Sequence, residues 1–323
     1  MMQFYQKRDF GTLVSDTFAF FKENGKNYFK NYILINGLLL ILLVVIFVFG
    51  YREIFGQMFA SNTGGESYYF EAYFQENRLM LILVAAVIFL LFIAVSMVSY
   101  SYPVLYLKRL SETGNKNIKA DEILGDIKSN VGRFLKLFLG LMFIVMPLAL
   151  LIFGVSYILI FLIIGFFLMI LVMPAMMNVI NFLLFDYFHT KKGFFESLSY
   201  AIRSQFSYPN GNEKSPFWKY WGSTFVMYMI VQVVTSVFTL IPMIMLFATI
   251  YTVPQNNGQL QQNPFEGTFG IIFFALYGVA ILCSFMMMNV IYVTSGLQYY
   301  DSRTDLHRAV DLTEIDTIGQ NNA

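Results

Sequence analysis

Between Lys136 and Asp186 the chain runs from Leu137 to Phe185, 49 residues, without one Asp, Glu, Lys or Arg. A membrane-crossing helix needs only about 20 apolar residues at roughly 1.5 Å each, so this run is too long for one crossing. It predicts a hairpin of two spans, with Gly154-Val155-Ser156 as the turn. Three further runs lack charge: Asn31–Tyr51, Leu79–Leu107 and Tyr220–Phe265. The last is also too long for one helix. It divides at the turn-rich Pro254-Gln255-Asn256-Asn257-Gly258, giving spans of about Tyr220–Tyr251 and Thr268–Tyr300. The reading is an all-α integral membrane protein with six transmembrane helices.

Composition agrees. Apolar types make up 57% of the 323 residues and charged types 13%, with a mean hydropathy of +0.61. That charge content is about half that of a soluble domain. Disorder is excluded by the apolar excess. A disulfide scaffold is excluded by the single cysteine, Cys283. A net charge of +1 without a long basic run argues against nucleic-acid partners. The first 30 residues are charged and amphipathic, so no cleavable signal peptide is expected and the first span serves as an uncleaved anchor.

Charge placement predicts the topology. With the N-terminus, the 108–136 and 186–219 loops and the C-terminal tail on one side, 19 of the 21 Lys and Arg share that side, and only Arg52 and Arg78 lie opposite. The positive-inside rule then puts both termini in the cytoplasm, in a bacterial inner (cytoplasmic) membrane. On the outer side, Ser67-Tyr68-Tyr69-Phe70-Glu71-Ala72-Tyr73-Phe74 reads as an interfacial aromatic belt or as a docking surface for another envelope protein.

The three stretches before spans one, three and five share a design. Phe10, Leu13, Val14, Thr17, Phe18 and Phe21 form an apolar stripe at helical spacing. Ile123, Leu124, Ile127, Val131, Phe134 and Leu135 form a second, and Phe194, Phe195, Leu198, Ala201, Ile202 and Phe206 a third. Each is wide enough for a helix lying at the membrane interface. Each leads into its span through an aromatic, an apolar residue and a lysine: Tyr28-Phe29-Lys30, Phe134-Leu135-Lys136 and Phe217-Trp218-Lys219. Lys30, Lys136, Lys219 and Trp218 are therefore expected to anchor the interface. The order repeats as three pseudo-repeats of interfacial helix plus helical hairpin, 9–110, 119–189 and 191–301, followed by a cytoplasmic tail at 302–323. Met176-Met177-Asn178-Val179-Ile180 recurs as Met287-Met288-Asn289-Val290-Ile291.

The stretch from Phe10-Gly11-Thr12-Leu13-Val14-Ser15-Asp16-Thr17-Phe18 to Tyr28-Phe29-Lys30 resembles bacterial six-span membrane proteins related in architecture to the membrane domain of some glycerophosphodiester phosphodiesterases. The resemblance implies six spans with interfacial helices and supplies no activity. The 323 residues hold no soluble phosphodiesterase domain, so none of that enzyme's catalytic residues carries over.

Little in the chain points to catalysis. The two histidines, His189 and His307, fall at a span exit and in the tail. The spans offer no set of His, Cys and carboxylate ligands for a metal, and no cofactor is expected. No Gly-x-Ser-x-Gly elbow or phosphate-binding Gly-rich loop occurs. Asp305 and Asp311 read as a solvated face, and Asp186, the deepest ionisable group, sits at an exit. An ion-coupled transporter normally carries ionisable groups at depth, so that class is disfavoured. The remaining polar membrane residues are Asn36, Asn178, Asn181, Gln232 and Asn289. Asn178, Asn181, Asn289 and Gln232 either bond between helices or line a cavity between spans kinked at Pro103, Pro147, Pro174 and Pro242. The first alternative fits a non-enzymatic structural or accessory component of an envelope complex, with the lipid bilayer and an envelope protein as partners. The second fits a transporter, channel or lipid-handling protein.

Overall fold

A computed structural model describes residues 2–63, 68–208, 214–252, 255–256, 259–260, 265 and 267–303. Its helices are α1 (Phe10–Thr63), α2 (Tyr68–Glu76), α3 (Arg78–Thr113), α4 (Ala120–Ser129), α5 (Val131–Gly140), α6 (Met146–Ile158), α7 (Ile164–His189), α8 (Phe194–Phe206), α9 (Phe217–Thr252) and α10 (Gly267–Ser302). Six helical segments are long and apolar enough to cross a membrane: Phe10–Gly50, Arg78–Thr113, Val131–Leu162, Ile164–His189, Phe217–Thr249 and Gly267–Ser302. The protein is an all-α, multi-pass membrane protein, as the charge-free runs predict. In the linker after α9, β1 (Gln255–Asn256) pairs antiparallel with β2 (Gln259–Leu260), Gln255 opposite Leu260. Pro254, Asn257 and Gly258 of that linker, Ser67 of the aromatic connection, and Asp305, His307 and Asp311 of the tail lie outside the described residues.

Helix α1 starts from a capped end. The Asp9 carbonyl accepts the Leu13 N–H at 3.0 Å, and its Oδ1 accepts the Thr12 N–H at 2.7 Å. The Thr12 amide holds the Asp9 carboxyl below the usual carboxylate range. The cap is therefore charged at neutral pH and is lost only as pH falls through that lowered range. No proline occurs between Phe10 and Thr63, and the helix continues unbroken through Lys30 into its span. The second amphipathic stretch instead divides at Asn130, between α4 and α5.

The long charge-free run is a hairpin, but its turn is not at Gly154-Val155-Ser156. Those residues lie inside α6, where Ser156 Oγ donates to the Ile152 carbonyl at 2.8 Å. The reversal comes later, through a 3₁₀ turn at Leu159–Leu162 and Ile163, whose φ is +64°. That conformation is costly for a β-branched residue. Hydrogen bonds from Ile163 N to Ile160 O (2.8 Å) and from Phe166 N to Ile163 O (3.2 Å) brace it. The glycine that matters is Gly165, because a Cβ there would lie 2.0 Å from the Ser156 carbonyl oxygen. The turn sits where the returning helix can touch the outgoing one, not where glycine loosens the chain.

Pro103, Pro174 and Pro242 lie inside α3, α7 and α9. Pro147 is accommodated differently: a π-helical turn at Leu141–Val145 precedes it, and it falls in the first turn of α6. The π turn lets the continuous helix Val131–Leu162 take up the proline.

The chain forms two compact units. One comprises residues up to 35, 97–230 and from 289 onward; the other comprises 36–96 and 231–288. In the second, Phe265, Phe273 and Phe274 form a buried cluster joined by Val48, Leu246, Phe269 and Tyr277. In the first, every residue of α10 from Ile291 to Ser302 is buried, so the end of the last helix is a central post.

Substituting the two glycines of the hairpin tests where it turns. Gly165→Ala should destabilise the protein by about 3 kcal/mol or more, the upper end of overpacking costs. Gly154→Ala, with nothing within 4 Å of its added Cβ, should be neutral or stabilising by up to ~1 kcal/mol. Thermal unfolding in detergent reads both; equal effects would put the turn elsewhere.

Candidate functional site

The post at the end of α10 carries Tyr292, Thr294, Ser295, Gln298, Tyr299, Tyr300, Asp301 and Ser302, a polar content unusual for a helix buried all round. Buried polar groups need partners, and Thr294, Ser295, Gln298, Tyr300 and Ser302 reach five other helices. Thr294 Oγ1 is 3.1 Å from Thr17 Oγ1 of α1. Ser295 Oγ accepts from Asn181 Nδ2 of α7 at 3.0 Å. Gln298 Nε2 donates to Tyr220 O (3.1 Å), Ser223 Oγ (2.9 Å) and Thr224 Oγ1 (2.9 Å) of α9. Tyr300 OH is 3.0 Å from Ser111 Oγ of α3. Ser302 Oγ is 2.7 Å from Tyr200 OH of α8. Gly296 lets α3 and α7 close in: a Cβ there would lie 2.5 Å from Leu107 Cδ1 and 2.6 Å from Phe185 Cζ.

Asp301 ends the post. Its Oδ1 accepts the Arg8 backbone N–H at 2.6 Å. Its Oδ2 accepts Lys219 Nζ at 2.6 Å, Tyr208 OH at 3.1 Å and Tyr220 OH. Lys219 Nζ also donates to the Arg8 carbonyl at 2.7 Å. Arg8 is itself buried: its Nε donates to Asp16 Oδ2 at 2.9 Å, and its terminal nitrogens donate to the carbonyls of Phe4 (2.7 Å), Gln6 (3.3 Å) and Gln3. Two cations and two carboxylates thus balance, and the N-terminal segment is folded across the end of the post. An ionised carboxylate has about four acceptor sites. The four donors on Asp301 all come from the protein, so this carboxylate is arranged as a structural tie.

Asp186 is also fully buried. Its Oδ1 accepts from Tyr299 OH at 3.5 Å and its Oδ2 from Thr190 Oγ1 at 3.4 Å. Beside it, His189 Nε2 is 2.8 Å from Tyr5 OH. The Tyr5 ring meets Tyr300 edge-on, with centroids 5.0 Å apart. A second group surrounds Tyr28, whose ring packs on Tyr102 (5.0 Å) and Tyr106 (4.8 Å). The Tyr28 hydroxyl donates to Asn289 Oδ1 at 2.8 Å.

Three of the polar residues singled out from sequence converge on α10. Asn178 Oδ1 accepts from Thr224 Oγ1 at 2.6 Å, and that hydroxyl also takes the Gln298 amide. Asn181 reaches Ser295, and Asn289 lies on α10 itself. Gln232 does not join them: it is exposed, and its Oε1 accepts from Thr235 Oγ1 of its own helix at 3.5 Å. Of the anchors, Lys30 and Lys136 are exposed and Trp218 is 67% exposed. The Lys219 ammonium turns inward to Asp301. Sequence reading missed Arg8, Asp16, Tyr208, Tyr220, Gln298 and Asp301. The legible signal was the stretch Ile291–Ser302, which mixes polar and apolar residues without a polar face.

No three His, Cys, Asp or Glu side chains gather as metal ligands among the described residues. The chain matches no protein family, no curated protein sequence and no solved structure.

Removing one partner of a buried ion pair leaves the other uncompensated, at about 3–5 kcal/mol. Asp301→Ala should therefore lower the thermal midpoint sharply. Arg109→Ala should cost about 1 kcal/mol or less, because its pairs with Asp126 and Glu122 are roughly a third exposed. Similar midpoints for the two variants would refute the tie.

Proposed function

We propose that this protein is a non-enzymatic, structural or accessory component of an envelope complex. It would reside in a bacterial inner membrane with both termini cytoplasmic. The observation that carries this reading is where the polar side chains of the membrane helices direct their bonds. Asn178, Asn181 and Asn289 each bond to another helix, and Asp301 takes four donors from the protein itself. Such groups serve to join helices. The repeated order of amphipathic stretch, junction and hairpin supports an architecture of three pseudo-repeats. With it goes the proposed kinship to the membrane domain of some glycerophosphodiester phosphodiesterases.

One observation favours a second reading, transport or handling of an amphipathic molecule. Asn178 Nδ2 and Gln298 Oε1 are buried and have no hydrogen-bond partner among the described residues. They are an amide donor and an amide acceptor linked through the Thr224 hydroxyl.

Affinity purification in mild detergent should recover one stoichiometric protein partner. Monomer alone, across several detergents, would count against the structural reading. Asn178→Leu and Asn289→Leu should each cost about 1 kcal/mol of stability, and partner recovery should fall only in step with folded protein. Loss of a co-purified lipid or amphiphile from Asn178→Leu at an unchanged thermal midpoint would favour the second reading.

A further inference from the structure

Helix α8 turns the usual amphipathic arrangement over. Its buried positions are small or polar: Ser197, Ala201, Ser204 and Gln205. Among its large apolar side chains Phe194 and Leu198 are half-buried, while three point outward, with Phe195 68%, Ile202 45% and Phe206 57% exposed. These three fall at helical spacing on one row. The other two stripes place large apolar residues inside the protein, Leu13 in α1 and Ile123 and Phe134 in α4 and α5, beside exposed ones such as Phe18 and Leu135; the buried member of the α8 stripe is the small Ala201.

The outward row of α8 continues onto α9. The Phe206 ring lies flat on Phe217, with centroids 5.3 Å apart and planes 5° from parallel. Phe217 meets Trp218 edge-on at 5.2 Å, Trp218 meets Trp221 at 5.8 Å, and Trp221 stacks on Phe225 at 5.1 Å. Helix α9 is one of the six helices long and apolar enough to cross a membrane, so this aromatic ledge runs into a span. The inner side of α8 is held by the Tyr200 OH–Ser302 Oγ contact at 2.7 Å, and just beyond its end Tyr208 OH donates to Asp301 at 3.1 Å.

We propose that α8 lies in the plane of the membrane surface, with Phe195, Ile202 and Phe206 inserted among the acyl chains of the adjoining leaflet. The occupant of this face is phospholipid. Continuity with α9 carries the apolar row into the leaflet. The exposed Arg203 at the margin of the row reaches the phosphate level, as cationic side chains beside an embedded row do. With its polar side bonded to protein, α8 presents its apolar side to the lipid. The inference stands apart from what the protein does and from whether it has a protein partner.

The chain has two tryptophans, Trp218 and Trp221, and both lie on this ledge, so fluorescence reads it directly. In vesicles of mixed phosphatidylcholine and phosphatidylglycerol, native emission should be lost to lipid brominated near the headgroup end of its acyl chains. It should be lost less to lipid brominated near the methyl end, and hardly to aqueous iodide. To read α8 itself, Trp218→Phe and Trp221→Phe are combined with Phe195→Trp or, in parallel, Phe206→Trp. Each single tryptophan should give blue-shifted emission with the same order of quenching. Quenching by iodide and not by brominated lipid would place α8 in water and overturn the proposal. Resistance to both quenchers, with a dimeric mass by light scattering, would show a second copy on the row and equally overturn it. Should one α8 variant fail to fold, the other and the native protein still decide.

Discussion

Asp301 is the point on which the first unit of the structure turns. In a helix bundle surrounded by lipid, apolar packing gives little preference for one neighbour over another, because lipid tails are as apolar as leucine. What selects a unique arrangement is the set of polar groups that must find partners away from water. The post Ile291–Ser302 concentrates these groups, and Asp301 ties three separate parts of the chain to its end: the segment around Arg8, the loop at Tyr208 and the start of α9 at Lys219 and Tyr220. The neighbouring bonds to Asn181, Ser111 and Tyr200 add α7, α3 and α8. Register between these helices follows from this pattern of donors and acceptors.

The spans were legible because the energy of placing charge in hydrocarbon is large and local. A run without Asp, Glu, Lys or Arg identifies them one residue at a time. The hairpin turn was not legible for the opposite reason. Gly154-Val155-Ser156 has turn-forming composition, yet inside an apolar helix the backbone gains nothing by leaving its own hydrogen bonds. The reversal is set instead by contact between Gly165 and the Ser156 carbonyl, a relation between two helices. Asn178, Asn181 and Asn289 stood out as polar residues in apolar runs. Their partners Thr224, Ser295 and Tyr28 did not, since each comes from a helix distant in sequence.

Lys219 shows how local and tertiary readings diverge for one side chain. Beside Trp218 at the start of a span, a lysine has the chemistry of an interface anchor. Trp218 is exposed as that reading requires, while Lys219, one residue further along the helix, turns inward to a carboxylate 82 positions away. The amphipathic stretches carry the same lesson at larger scale. Periodicity reveals that a helix has two faces, but which face meets the protein depends on what the protein offers. Helix α1 buries its own Leu13 and Phe20, whereas α8 packs with Ser197, Ala201 and Ser204 and leaves Phe195 and Phe206 outside.

The position of the post in the chain has a consequence for how the fold is completed. Thr17, Ser111, Asn181, Tyr200, Lys219 and Tyr220 all precede α10, and each has its partner on it. Each loses its bond to another helix when α10 is removed, at a cost of about 1–3 kcal/mol where the group is kept from water and left unsatisfied; Thr17, Ser111 and Lys219 retain a backbone carbonyl. Span formation and packing therefore rest on different residues in this chain: apolar runs suit the helices to the bilayer, and the polar end of α10 supplies the bonds that join them.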